Sequence, residues 1–216
     1  MVHLIQFRDP NSSEMVKALQ DIPKCPGTCI FIDIVSSTQA KHASGIDEWG
    51  KRLNNTFNFI SLLNDFPDNI VKGIGDEMML FVPDKVLATK NTINDYYGLL
   101  EEIYSTILNL QSFPIQDLFY QCKVSLHYCT EVYNVTFLKG FNDYYGKDID
   151  FTARLMGKSQ ANRLVFSESF HKKALDDIKK KGIPKAQTCL SQVSVKLVEE
   201  FKGVPRPVAY RYIDAK

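Results

Sequence analysis

Apolar positions in this chain come either as short unbroken runs or at helical spacing. A run of four, Cys29-Ile30-Phe31-Ile32, closes on Asp33 and reads as a buried strand over 28–33. Pro23, Pro26 and Gly27 break the chain just before it. Upstream, Ser12 and Ser13 open a short amphipathic segment that reaches Asp21 and is expected to be helical. Downstream, Ser36, Ser37 and Thr38 offer hydroxyl caps to a helix expected to run on to about Leu63. Two apolar stretches, 70–74 and 78–82, flank Gly73-Ile74-Gly75-Asp76, a β-hairpin pattern. Leu99, Leu100, Ile103, Ile107 and Leu110 recur at helical period within 94–110. A strand pair is expected at 123–127 and 132–137, then a helix over 147–156, a strand over 163–166 and a helix over 170–180. Strands over 193–198 and 208–212 would close the chain.

Strands, hairpins and helices in this order predict an α+β fold, ferredoxin-like, with a mostly antiparallel sheet flanked by helices. The chain's 216 residues suit one domain over 27–216, preceded by an N-terminal extension over 1–26. Twenty-six basic residues against twenty-five acidic ones leave a formal charge of +1. That balance gives no bulk attraction to nucleic acid or to an acidic membrane, so neither is expected as a partner, and any phosphate site must be local. No apolar run is long enough to span a bilayer and no secretory leader is evident. Five cysteines, an odd number in mostly apolar settings, fit reduced thiols in a cytoplasm better than a disulfide framework.

The chemistry concentrates on two acids. Asp33 ends an apolar strand and Asp76 sits in a hairpin turn. If the two strands are neighbours, both carboxylates emerge at one sheet edge. Two converging hard oxygen donors make a Mg²⁺ or Mn²⁺ site when substrate phosphates complete the shell. A strand that turns directly into a helix start at 34–38 also offers free backbone N–H groups to a phosphate.

Four stretches carry a resemblance to the catalytic domain of class III nucleotidyl (adenylyl and guanylyl) cyclases. Phe31-Ile32-Asp33-Ile34-Val35-Ser36-Ser37-Thr38 is similar to that family's first metal motif, and Lys72-Gly73-Ile74-Gly75-Asp76-Glu77 to its second. The run from Asp143 through Tyr144, Tyr145, Gly146, Asp150 and Arg154 resembles its base- and transition-state-binding helix, and Phe201-Lys202-Gly203 its final Lys-Gly turn. The resemblance implies a 3′,5′-cyclase acting on a nucleoside triphosphate with two divalent cations. Asp33, Asp76 and the backbone carbonyl of Ile34 would hold the metals. Lys72 and Asp143 would read the base, Arg154 would stabilise charge on the reacting phosphate, and Ser36, Ser37, Thr38 and Lys202 would contact phosphates. It also implies a homodimer with active sites at the interface, metals from one subunit and base reader and arginine from the other.

Asp150 stands where the family usually has asparagine, and an ionised aspartate only accepts hydrogen bonds. Cys129 or Thr130 stands where the family often has glycine. His127, in an apolar strand, is expected in the core. The stand-alone look of the domain is similar to the small bacterial cyclases of Pycsar antiphage systems, which make cyclic CMP or cyclic UMP. Tyr144 and Tyr145 beside the expected base pocket favour a pyrimidine. ATP, read by the same Lys72 and Asp143, is the main rival. A catalytically inactive cyclase-like regulatory domain and a palm-domain polymerase are the competing classes.

Overall fold

A computed structural model describes residues 3–4, 13–63, 67–89, 92–112, 117–137 and 143–216. Its elements, in chain order, are β1 (His3–Leu4), α1 (Ser13–Gln20), β2 (Gly27–Ile34), α2 (Ser37–Ala43), α3 (Ile46–Leu63), β3 (Ile70–Ile74), β4 (Glu77–Pro83) and α4 (Asp84–Leu87). They continue with α5 (Tyr96–Ser112), β5 (Cys122–Cys129), β6 (Tyr133–Thr136), β7 (Tyr144–Tyr145), α6 (Lys147–Met156), β8 (Arg163–Ser167), α7 (Glu168–Lys180), β9 (Leu197–Glu199) and β10 (Val208–Asp214). Seven strands form one sheet in the order β3-β4-β2-β5-β8-β10-β9. Every pairing in it is antiparallel except β5 with β8. This is the expected α+β sheet.

Strand β2 runs through its middle, and its side chains sort by the two-residue period of a strand. Ile30, Ile32 and Ile34 face a core built with Leu99, Leu100, Ile103, Ile107 and Leu110 of α5, Phe170, Ala174 and Ile178 of α7, and Ile60 of α3. Cys29 and Phe31 face the other way, against Met79 and Phe81 of β4 and Ile149 and Met156 of α6. Burying each such side chain stabilises the fold by about 1.5–3 kcal/mol, so β2 carries apolar residues from Cys29 through Ile32. The apolar run in the sequence has this cause.

Three expectations are corrected. The helix from Ser36 towards Leu63 is two helices. Ser44 takes an extended conformation (φ −142°, ψ 170°) at the end of α2, and α3 starts anew behind Gly45 with Asp47 and Glu48 in its first turn. Residues 132–137 do not pair with β5. The Asp148 carboxylate binds the backbone N–H groups of Thr130 and Glu131 at 2.7 and 2.9 Å, turning the chain out of the main sheet. Strand β6 then joins a separate three-stranded sheet, parallel to β1 and antiparallel to β7. Finally, 193–198 is mostly irregular, leaving only the short β9 at its end.

The N-terminal segment is tied to the rest by the β1–β6 pairing and by the Cys25 N–H donating to the Val132 carbonyl at 2.7 Å. All five cysteines are free thiols, and all but Cys25 are buried. Among the described residues, no helix is long and apolar enough to cross a membrane.

Candidate active site

Asp33 lies one residue from the end of β2, directly opposite Glu77 on β4 and Lys123 on β5. Asp76 occupies the turn between β3 and β4, beside Gly75, whose φ of 68° suits a residue without a β-carbon. The Ile34 N–H donates to the Asp76 backbone carbonyl at 3.1 Å, pinning the turn to the end of β2. The two acids that stand far apart in sequence therefore meet at one edge.

Each of these two acids faces a lysine. Lys123 Nζ is 3.1 Å from Asp33 Oδ2, and Lys41 Nζ is 3.5 Å from Asp76 Oδ1. The Ser37 hydroxyl donates to Asp76 Oδ2. Burial pushes the Asp76 carboxyl up, but the Ser37 hydrogen bond, a backbone hydrogen bond and the Lys41 ammonium outweigh it, so it lies below its ordinary value. Glu77 goes the other way, raised by burial and then by the negative charges of Asp33 and Asp76. Three carboxylates share the corner, and two lysine ammonium groups already answer them. This set of hard oxygens suits Mg²⁺ or Mn²⁺.

The hydroxyl residues behave differently from the expected caps. Ser36 occupies the cap position of α2 in the left-handed region (φ 67°), and its side chain makes no cap hydrogen bond. Ser37 is buried and its hydroxyl is committed to Asp76, while Thr38 is exposed.

Lys72, on the edge strand β3, reaches across to Asp143. Its ammonium donates to both carboxylate oxygens, at 2.9 and 2.7 Å. Asp143 is buried, and its Oδ1 also accepts the Tyr144 N–H at 2.8 Å. The Tyr145 ring centroid lies 5.7 Å from Lys72 Nζ, and that ring meets Phe137 edge-on at 5.1 Å. Tyr144 turns away, packing on Phe81 at 4.3 Å. Of the two tyrosines, only Tyr145 flanks the Lys72–Asp143 pair.

Helix α6 spans the expected 147–156. A β-carbon on Gly146, just before it, would stand 2.1 Å from the Glu131 carbonyl oxygen, so only glycine lets the helix start this close to the strand end. Asp150 and Arg154 are exposed on this helix and form no ion pair with each other. With His127, Phe151, Gly203 and Pro205 they line a cavity of about 360 Å³. The Arg154 guanidinium rests near Gly203, and Lys202 is exposed on the same loop. His127 packs edge-on against Phe151 at 4.8 Å, with Nε2 3.7 Å from Asp148 Oδ1. Neither Asp33 nor Asp76 is among the described residues lining this cavity.

The structure thus brings together Asp33, Ile34, Asp76 and Ser37 at one corner, Lys72 and Asp143 as a pair, and Asp150, Arg154 and the Lys202 loop at a cavity. Sequence reasoning missed Lys41, Lys123 and Glu77. The strand partners of Asp33 become visible only once the register across β2, β4 and β5 is known.

This seven-stranded, mostly antiparallel sheet flanked by helices matches the fold of solved adenylyl and guanylyl cyclase structures. Among solved structures, the chain is similar to the adenylyl cyclase CyaB from P. aeruginosa, with TM-score 0.63 and 19% identity over 91% of this chain and 97% of that one. The guanylyl cyclase Cya2 matches with TM-score 0.68 and 16% identity, over 89% and 93% of the two chains. The guanylate cyclase domain of RhGC from Catenaria anguillulae, solved with GTP, matches with TM-score 0.64 and 15% identity over 89% and 97%. No protein-family model matches the sequence, and no curated protein does.

Proposed function

We propose that this chain is a homodimeric class III-type nucleotidyl cyclase that converts UTP or CTP into the 3′,5′-cyclic monophosphate and pyrophosphate, as a second messenger in antiphage defence. Residues 27–216 form the catalytic unit and 1–26 its extension. The observation that carries the cyclase reading is the convergence of Asp33 and Asp76, locked by the Ile34–Asp76 backbone bond.

In the reaction the ribose 3′-oxygen bonds to the α-phosphorus and loses its proton. The bond from that phosphorus to the bridging oxygen breaks, and pyrophosphate leaves with the electron pair. Two divalent cations held by Asp33, Asp76 and the Ile34 carbonyl would lower the pKa of the 3′-hydroxyl and neutralise the triphosphate. Arg154 presents a planar fork of donors to the charge that grows on the phosphoryl oxygens. Lys202 and the backbone at Ser36, Ser37 and Thr38 contact the phosphate tail. Asp150 accepts a hydrogen bond from a ribose hydroxyl. Lys72 and Asp143, each other's partner in this structure, exchange that contact for the base: the ammonium donates to a ring nitrogen or a carbonyl oxygen, and the carboxylate accepts from an amino group or ring N–H.

Two features favour the finer parts of this reading. The cavity of Arg154 lacks the carboxylate corner, so a complete site draws one set from each of two chains. Tyr145 stands beside Lys72 and would narrow a base pocket there towards a single-ring base. The place in antiphage signalling rests on the resemblance to Pycsar cyclases. Adenine presents the same pairing edge as cytosine, so ATP is the competing substrate.

Incubating the protein separately with ATP, GTP, CTP and UTP in Mn²⁺ and identifying products by mass spectrometry tests both levels. Cyclic CMP or cyclic UMP is expected, with pyrophosphate, and Asp33→Ala is expected to make neither while keeping its circular dichroism spectrum. Exclusive cyclic AMP production would overturn the pyrimidine assignment. No cyclic product from any nucleotide would overturn the cyclase.

A further inference from the structure

A second group of metal-ligating side chains lies away from the carboxylate corner. His127 and Cys129 stand two apart on β5, so they share one face of that strand. Asp148, in the first turn of α6, closes over them. One ring nitrogen of His127, the Cys129 sulfur and an Asp148 oxygen all lie within 4.8 Å of one another. Cys29, directly opposite His127 on β2, brings a second buried thiol beside Cys129.

These groups are held in place by their surroundings. Asp148 Oδ2 is taken by the Thr130 and Glu131 N–H groups, which leaves Oδ1 turned to His127 Nε2 at 3.7 Å. Outer hydrogen bonds of this kind orient a carboxylate ligand. The His127 Nδ1 is buried and has no hydrogen-bond partner. The whole group is nearly closed to solvent: the His127 and Asp148 side chains are 12% and 14% exposed, and Cys129 is fully buried.

We propose that His127, Cys129 and Asp148 bind one zinc-class divalent cation, with Cys29 next to the fourth position. A mixed sulfur, nitrogen and oxygen set is the chemistry that zinc accepts and that Mg²⁺ does not favour. Charge balance fits a buried site: a Cys129 thiolate and the Asp148 carboxylate together match a double positive charge. Binding forms a metal–sulfur bond and releases the Cys129 proton to solvent. The ion ties the start of α6 to the end of β5. Position 127 lies four strand residues beyond Lys123, the partner of Asp33, which places it about 13 Å along the strand from the carboxylate corner. Within one chain the two sites therefore differ in place as well as in metal preference, although His127 and Asp148 also line the Arg154 cavity.

Co²⁺ titration of the full chain under reducing conditions tests this, with Asp33→Ala and Asp76→Ala introduced to silence the oxygen-rich corner. A thiolate-to-cobalt charge-transfer absorption is expected, saturating at one ion per chain and abolished by Zn²⁺. Cys129→Ser should lose that absorption, and Cys25→Ser should keep it. Should Cys129→Ser fail to fold, His127→Gln decides, with an expected loss of about tenfold or more in affinity. Absence of the absorption, or its full retention in Cys129→Ser or undiminished affinity in His127→Gln, would overturn the site. None of these readouts depends on cyclase activity.

Discussion

Lys72 and Asp143 satisfy each other in this structure, and under the proposed base-reading role this sets what a substitution there should do. Replacing Lys72 with methionine keeps most of the stem but leaves a buried carboxylate without its ammonium and the base without a donor. A hydrogen bond to a charged group contributes about 1.5–3 kcal/mol, so kcat/KM for the favoured nucleotide should fall by about 10–100-fold. Steady-state kinetics on all four nucleotides checks this, and equal rates in the variant and the parent would remove the pair from base recognition. At this scale the acids were legible in the sequence. Asp33 interrupts an apolar run and Asp76 follows a turn glycine, so each stands out against its neighbours. Lys123 and Lys41 did not stand out, because an exposed-looking lysine acquires meaning only from the carboxylate that folding sets against it.

Among the elements, helix α6 was legible to the residue, since its apolar positions and its glycine start are local features. The break at Ser44–Gly45 was not, because both halves carry helical composition and only the extended Ser44 backbone separates them. Strand β6 misled for a different reason: its pairing depends on Asp148, an acid from the following helix, holding the turn that carries it out of the main sheet. Helix α7 brings its own prediction. His171 is buried against Phe166 with neither ring nitrogen hydrogen-bonded. Burial first, and then the nearby Arg211 and Lys185 charges, push its pKa down to about 4, with Glu168 opposing them. The unfolded chain takes up that proton near pH 6.5. Stability from neutral His171 is therefore complete above pH 6.5, declines as pH falls and is lost by about pH 4, a swing of the order of 2 kcal/mol. Urea midpoints at pH 7 and pH 4.5 should converge more closely in His171→Leu than in the parent. An unchanged difference would show that other groups set the acid sensitivity.

For the whole molecule, the fold class and most of the element order followed from pattern, the strand order within the sheet did not, and the fold agrees with that of structures of adenylyl and guanylyl cyclases at under 20% identity. What the pattern could not supply is where the parts of the site lie relative to one another. The carboxylate corner sits where β2 ends, whereas Arg154 looks into a cavity beside the Gly203 loop. The proposed homodimer would reconcile this separation, with each chain giving its corner to one site and its arginine to the other. Mixing Asp33→Ala and Arg154→Ala chains is the direct measurement. Each variant alone should be inactive, and an equal mixture should recover about a quarter of parental activity, since random pairing makes half the dimers mixed and gives each of those one intact site. Mixed dimers verified by mass spectrometry that show no turnover would contradict the shared site.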